Sequence, residues 1–367
     1  MRHSVLHQPK RVRALTGLMA FGLGLLLLAS PSSAAPKEQP KERAPAKAGQ
    51  KAAPVPANQP APIRYPQEDT PGAKGDIAYG AYQRGFYRTA YQAALKQANE
   101  QNNVPAMTLL GELSQRGLGT PASAQKAAEW YRKAAEKGSA DAQFSLGLMY
   151  LAGEGMPQDE EAAAKLFQQA AEKGHGEAAY NLGLLYLAGR KLPEDQSAAA
   201  RWFDVAAKKE VEDAQYALAV LLKEGDGVPQ DLPASTRMLQ KAADHGHVTA
   251  QVELAIMQFN GTGMDKNEAA AAGLFRKAAL AGNAIAQNRY ARLLSAGRGT
   301  LQDKVSAAAW HLMAKNRGLG DPYLDELMAG LSEADRKKAE ALAADWGAHA
   351  QSPPDAPSHA SPSPQRP

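Results

Sequence analysis

An all-α fold, a right-handed α-α superhelix of stacked helix pairs, is predicted by three features. An alanine recurs every 36 residues, glycines follow it at set distances, and helix-capping residues stand at one further offset. The alanines are Ala106, Ala142, Ala178, Ala214, Ala250 and Ala286. Four residues behind each comes Leu110, Leu146, Leu182, Leu218, Leu254 or Tyr290, and the next position is small: Gly111, Gly147, Gly183, Ala219, Ala255 and Ala291. The eleventh position is glycine every time, from Gly117 to Gly297. These spacings describe an apolar-faced first helix closed by a glycine.

A second helix follows from the seventeenth position, where Ser123, Asp159, Asp195, Asp231, Asn267 and Asp303 offer a side-chain oxygen to otherwise unpaired backbone N–H groups. Its apolar stripe carries Trp130, Leu166, Trp202, Met238, Leu274 and Trp310, then Tyr131, Phe167, Phe203, Leu239 and Phe275, then a small alanine. Gly138, Gly174, Gly246, Gly282 and Gly318 end it. No such pair buries its apolar face alone, so stability must come from stacking on neighbours.

The segments around the repeats read differently. Residues 1–34 have a basic start (Arg2, Lys10, Arg11, Arg13), an apolar run from Leu18 to Leu28 and small residues at the end, the pattern of a secretory signal peptide cut after Ala34. The apolar run is shorter than the roughly 20 residues that a membrane-spanning helix needs, so no stable membrane insertion is expected after cleavage. The whole chain holds 42 basic and 38 acidic residues. The leader takes four of the basic ones and no acid, which leaves 38 against 38 and removes the electrostatic argument for a nucleic-acid partner. The 367 residues contain no cysteine, which excludes disulfides, thiolate catalysis and cysteine metal sites. Residues 35–75, rich in Ala, Pro and Lys, and 347–367, rich in Pro and Ser, lack the apolar content to order a core and read as disordered.

The repeated pattern A-x-x-x-L-G-x-x-Y-x-x-G-x-G, then a capping Asp, then K-A-x-x-W-Y-x-K-A-A-x-x-G, resembles the Sel1-like repeat family, which is tetratricopeptide-like. Residues 142–155 and 126–138 carry it best. The tetratricopeptide unit is about two residues shorter and lacks the paired-glycine loop. Six full repeats are expected over 106–321, after a degenerate opening repeat at 76–105, counted as the first, and before capping helices at 322–346. In the opening repeat Gly85-Phe86-Tyr87 replaces the long loop and Ala90, Leu95 and Ala98 mark the second helix. At the other end Tyr323, Leu324, Leu327 and Met328 suggest one more first helix, and Ser332 caps a final helix ending near Trp346. Three departures bear on local geometry: Lys191 for the second loop glycine, Glu210 for a helix-ending glycine, and Met238-Leu239 for the aromatic pair.

Motifs for catalysis are few. The chain has no phosphate loop, no H-E-x-x-H and no G-x-S-x-G. His245 and His247 form a weak metal-pair pattern that reads as a solvated turn. His311 stands where other repeats place an aromatic and reads as a packed core residue. Asn260-Gly261-Thr262 fits a glycosylation acceptor but is the ordinary turn of its repeat.

The informative feature lies on the first helices. Positions 0, 4, 7 and 8 after the alanine form the core face, whereas positions 2, 6 and 9 fall at about 180–240° from it. Polar residues are expected there, yet the middle repeats present Phe144, Leu148 and Leu151, then Tyr180, Leu184 and Leu187, then Tyr216 and Val220, then Val252, Ile256 and Phe259. The flanking repeats are polar, with Thr108, Glu112 and Gln115 before and Asn288, Arg292 and Ser295 after. Two readings follow: an apolar groove for a partner helix or peptide, or a face whose side chains fill it by touching one another.

The resemblance implies a non-enzymatic protein-interaction scaffold or regulator in the bacterial cell envelope, periplasmic or secreted, without cofactor or metal and with a protein or peptide partner. Two other activities belong to the same resemblance or face. Cysteine-rich relatives are described as penicillin-binding or β-lactamase-like hydrolases, and aromatic groove positions suit peptidoglycan or other glycans.

Overall fold

In the computed structural model the described residues are 76–350, and their sixteen helices contain no strand among them. The signal peptide expected at residues 1–34, the 35–75 segment and the tail beyond residue 350 lie outside the described residues. The helices are α1 (Ile77–Gln83), α2 (Tyr87–Gln101), α3 (Val104–Arg116), α4 (Ala124–Glu136), α5 (Ala140–Ala152), α6 (Glu160–Glu172), α7 (Gly176–Ala188) and α8 (Gln196–Lys208). They continue as α9 (Glu212–Glu224), α10 (Leu232–Asp244), α11 (Val248–Asn260), α12 (Glu268–Leu280), α13 (Ala284–Ala296), α14 (Lys304–Lys315), α15 (Pro322–Ala329) and α16 (Glu333–Ala350). The described residues form two compact units divided between Glu194 and Asp195, with α7 the last helix of one and α8 the first of the other. Within each, consecutive helices pack on one another, as an α-solenoid requires, except at the C-terminal end, where α16 packs on α14 and not on α15.

Each second helix is capped where its sequence predicts. Asp159, Asp195, Asp231, Asn267 and Asp303 accept N–H bonds of 2.8–3.0 Å from the first turn, and Ser123 does so at 3.3 Å. In five of the six repeats the capping residue's own N–H donates back to the first helix, as Asp159 N does to Tyr150 O at 2.9 Å, which closes the loop between the two helices. Alanines at the reference position are all buried to 1 % exposure or less, and Tyr131, Phe167 and Phe203 lie fully inside. The small residue of the first helix exists for these rings. A Cβ on Gly147 would sit 2.6 Å from the Phe167 ring, and where Ala219 occupies that place in a later repeat the ring opposite is reduced to Leu239.

Stacking between repeats depends on the loop. Gly155 has φ +72°, and a Cβ there would meet the backbone of Ala124 at 2.6 Å, so the loop lies directly on the first turn of the preceding repeat's second helix. The same contact recurs in four other repeats. Where Lys191 replaces this glycine the left-handed turn is absent, and Arg190 instead pairs with Glu160 at the start of α6. Glu210, by contrast, keeps the left-handed conformation of the glycine it replaces, at φ +63°.

A second interlock was not anticipated from the pattern. Gln143, Gln215, Gln251 and Gln287, each directly behind a reference alanine, are buried to 4 % exposure or less. Each donates through Nε2, at 3.1–3.3 Å, to a carbonyl in the last turn of the preceding second helix: Ala135, Ala207, Ala243 and Ala279. A repeated Ala-Gln pair is its sequence signature.

The ends behave as caps. Asp76 caps α1, and Gly85 at φ +79° makes the short turn into α2. Leu324 of α15 is fully buried, and Ser332 Oγ accepts from Asp335 N at 3.1 Å to start α16. That last helix runs through Gly347 to Ala350, since the first proline after Trp346 is Pro353, and Trp346 stacks on Trp310 at 4.7 Å.

Gly155→Ala is expected to lower stability by about 2–4 kcal/mol, since it adds left-handed strain to a backbone clash. Glu210→Gly is expected to raise it by about 1 kcal/mol. Urea denaturation of both variants against the parent reads the two signs; equal midpoints for all three would remove the loop contact as a source of stability.

Candidate functional site

The predicted face is present in both units, and it is more filled than open. In the N-terminal unit Phe144, Leu148 and Tyr180 are half-buried, while Leu151, Leu184 and Leu187 are buried. In the C-terminal unit Tyr216, Ile256 and Phe259 are half-buried, and Val220 and Val252 are buried. None of the eleven is exposed.

One reason for this burial repeats along the chain. The side chain at position 2 packs against the residue that caps the next repeat's first helix. Phe144 lies 4.5 Å from the His175 ring and 5.8 Å from Phe167, and Tyr216 stacks on His247 at 4.6 Å. In the polar repeats the same contact becomes a hydrogen bond: Thr108 Oγ1 is 3.2 Å from Ser139 Oγ, and Asn288 Nδ2 donates to Asp321 at 2.8 Å. Aromatic meets imidazole, hydroxyl meets hydroxyl and amide meets carboxylate, so in these four repeats the residue type at position 2 matches the cap it covers.

The polar flanks are therefore bonded networks around a buried carboxylate, Glu112 at one end and Asp321 at the other. Glu112, 6 % exposed, accepts from the Tyr82 hydroxyl at 2.5 Å and from Arg116 at 2.8 Å. Desolvation by burial, followed by the bond to Glu112, pushes the Tyr82 phenol far above its ordinary range. At the other flank Arg292 grips Asp321 through Nε and Nη2 at 2.6 and 2.8 Å, and this bond is the main reason the Asp321 carboxyl falls to about 2.

The histidines take separate roles. His175 and His247 accept from Ala178 N and Ala250 N through Nδ1, at 3.2 and 3.0 Å, and so act as helix N-caps. His245 is exposed, with Nδ1 3.4 Å from Gln215 Oε1. His311 is fully buried, with Nε2 2.8 Å from Asp325 Oδ1, which also accepts from Lys315 at 2.7 Å. Among the described residues no group of three His, Cys, Asp or Glu side chains is placed to hold a metal ion. No helix of the described residues is long and apolar enough to cross a membrane.

Two of the cavities among the described residues lie one in each unit. One, of about 650 Å³, lies away from the predicted face, between α4 and α6, where Leu146, Leu166 and Lys173 line it. The other, of about 380 Å³, opens beside Ile256 and Phe259, with Leu293 below and Arg289, Arg292 and Arg298 around the rim. Of these arginines the sequence pattern singled out only Arg292. The available signal was a set of three at positions 3, 6 and 12 of the last full repeat.

The Sel1 repeat matches six consecutive segments, residues 104–139, 140–175, 176–211, 212–247, 248–283 and 284–319. Among solved structures, a Sel1 repeat protein from Oxalobacter formigenes is 28 % identical with a TM-score of 0.56, over 65 % of this chain and 96 % of that one. A protective antigen present in uropathogenic Escherichia coli strains, displaying an SLR fold, is 27 % identical with a TM-score of 0.48, over 74 % of this chain and 67 % of that one. A comparison with curated proteins finds no match.

The cap at His175 makes stability pH-dependent. Burial pushes the imidazole below its ordinary 6.5, against the opposing pull of Glu177 and Asp141. The unfolded chain therefore takes up the proton first, and the stabilisation is complete above 6.5 and lost as pH falls through the folded-state value. Protonation at Nδ1 also removes the acceptor for Ala178 N and adds positive charge at a helix N-terminus. His175→Asn, which keeps a capping oxygen, is expected to gain roughly 1 kcal/mol on the parent between pH 7.5 and pH 5 in thermal melts. Parallel curves would show that the imidazole does not titrate on unfolding.

Proposed function

This chain belongs to the Sel1 repeat family, and from that premise we propose that it is an exported, non-enzymatic scaffold of the cell envelope that holds a protein or peptide along the outward side of its first helices. The family's solenoid suits a protein-interaction scaffold, because stacked repeats display one side chain per repeat at regular intervals over a long surface. The observation that carries the partner-binding step is the state of Leu148, Ile256 and Phe259. Their neighbours at equivalent positions are buried by packing within the fold, whereas these three keep part of their apolar surface open, in two of the three cases beside a cavity large enough for a side chain. The leader-like residues 1–34 and the absence of cysteine support export to a compartment such as the periplasm, with the mature chain beginning after Ala34.

Full-length protein carrying a photo-crosslinking amino acid at Leu148 or Ile256, produced with its own leader in a Gram-negative host, tests both steps. A discrete adduct is expected from these positions and none from exposed second-helix positions such as Gln168 and Arg237. Terminal sequencing of the periplasmic form is expected to start at Ala35. The same adducts from both faces, or an unprocessed chain in the cytoplasm, would defeat the proposal.

A further inference from the structure

We propose that the cavity beside Phe259 takes an acidic peptide segment, with one aliphatic or aromatic side chain on the apolar floor and neighbouring carboxylates on the arginine rim. This rests on the partner-binding reading above and specifies its chemistry. The floor is made by half-buried Ile256 and Phe259 with buried Leu293, and the volume of about 380 Å³ matches a single large side chain with its flanking backbone.

The rim decides the sign of the ligand. Four cations, Lys266, Arg289, Arg292 and Arg298, gather around two carboxylates, Glu268 and Asp321, which leaves a local excess of two positive charges. The two carboxylates are already committed. Asp321 holds Arg292, and Glu268 holds Arg298, with both carboxyls drawn to about 2, chiefly by those bonds. These pairs fix two guanidinium planes at the cavity mouth through Nε and Nη2, so that Nη1 of each is not used in the pair. The Arg298 guanidinium carbon lies over the Phe259 ring, 4.4 Å from its centre, so cation and apolar floor belong to one surface. Arg289 is exposed and has no ion pair or hydrogen bond among the described residues, which leaves a fork free for a carboxylate.

A polyphosphate fits less well. The chain outside the leader is charge-balanced, so net charge supplies no attraction to a phosphate backbone, and a polyphosphate would leave the apolar floor uncovered. A peptide satisfies both parts of the site.

The test is fluorescence anisotropy on the full chain with a labelled hexapeptide, Leu-Phe between two pairs of glutamates, and its counterpart with lysines for the glutamates. The acidic peptide is expected to bind at least about tenfold tighter than the basic one, with the difference shrinking as salt rises. Arg289→Glu is expected to weaken it by about tenfold or more with an unchanged melting temperature, while Arg276→Glu, the same charge reversal on exposed α12 surface, leaves it unchanged. Equal affinity for the two peptides, equal effects of the two reversals, or no binding of the acidic peptide would each overturn the assignment. The partner-binding reading would still be decided separately, by cross-linking from Leu148 in the other unit.

Discussion

The close seat of one repeat's loop on the preceding repeat's second helix is the constraint from which the rest of the structure follows. At Gly155 the backbone of the loop occupies the space a Cβ would need, and the contact is made to another backbone, which cannot move aside as a side chain can. The separation of neighbouring repeats is thereby set by main chain. Buried glutamines such as Gln251 and Gln287 then close the same joint from the other end, by satisfying a carbonyl of the previous second helix. Together these contacts explain why the 36-residue period is kept so strictly while the exposed positions vary.

Once spacing is set, the residue at position 2 of each first helix has little freedom. In four repeats it lies over the cap of the next first helix, and its chemistry matches that cap, from Thr108 with Ser139 to Tyr216 with His247. Much of the apolar character on this side is therefore structural. At positions 6 and 9, packing leaves three of the apolar side chains partly open, Leu148 in one unit and Ile256 and Phe259 in the other, and the proposed partner would meet these. The interaction reading is thus narrower than a continuous groove, and it places apolar and charged recognition side by side where the last full repeat meets the capping helices.

The terminal repeats show how the stack ends. Trp346 and Trp310 stack at one end, and Tyr82, Glu112 and Arg116 form a bonded network at the other. Each covers an apolar or polar surface that an inner repeat would cover by a further copy of itself. The price of a capping network is a buried carboxylate, and Glu112 retains one oxygen without a partner.

The helix pairs, their caps at Asp159 and Asn267, the glycine turns and the buried rings were all legible in the sequence, because each depends on contacts within one repeat and recurs until the pattern is unmistakable. The glutamine interlock was legible in the same way, as a repeated Ala-Gln pair, but its meaning required knowing which carbonyl lay across the joint. Which of the eleven apolar residues remain accessible, and that Arg289 and Arg298 gather with Arg292 around Phe259, only the tertiary structure decided. Exposure and charge clustering are properties of neighbours brought together from different repeats, and local periodicity holds no record of how far each neighbour's side chain reaches.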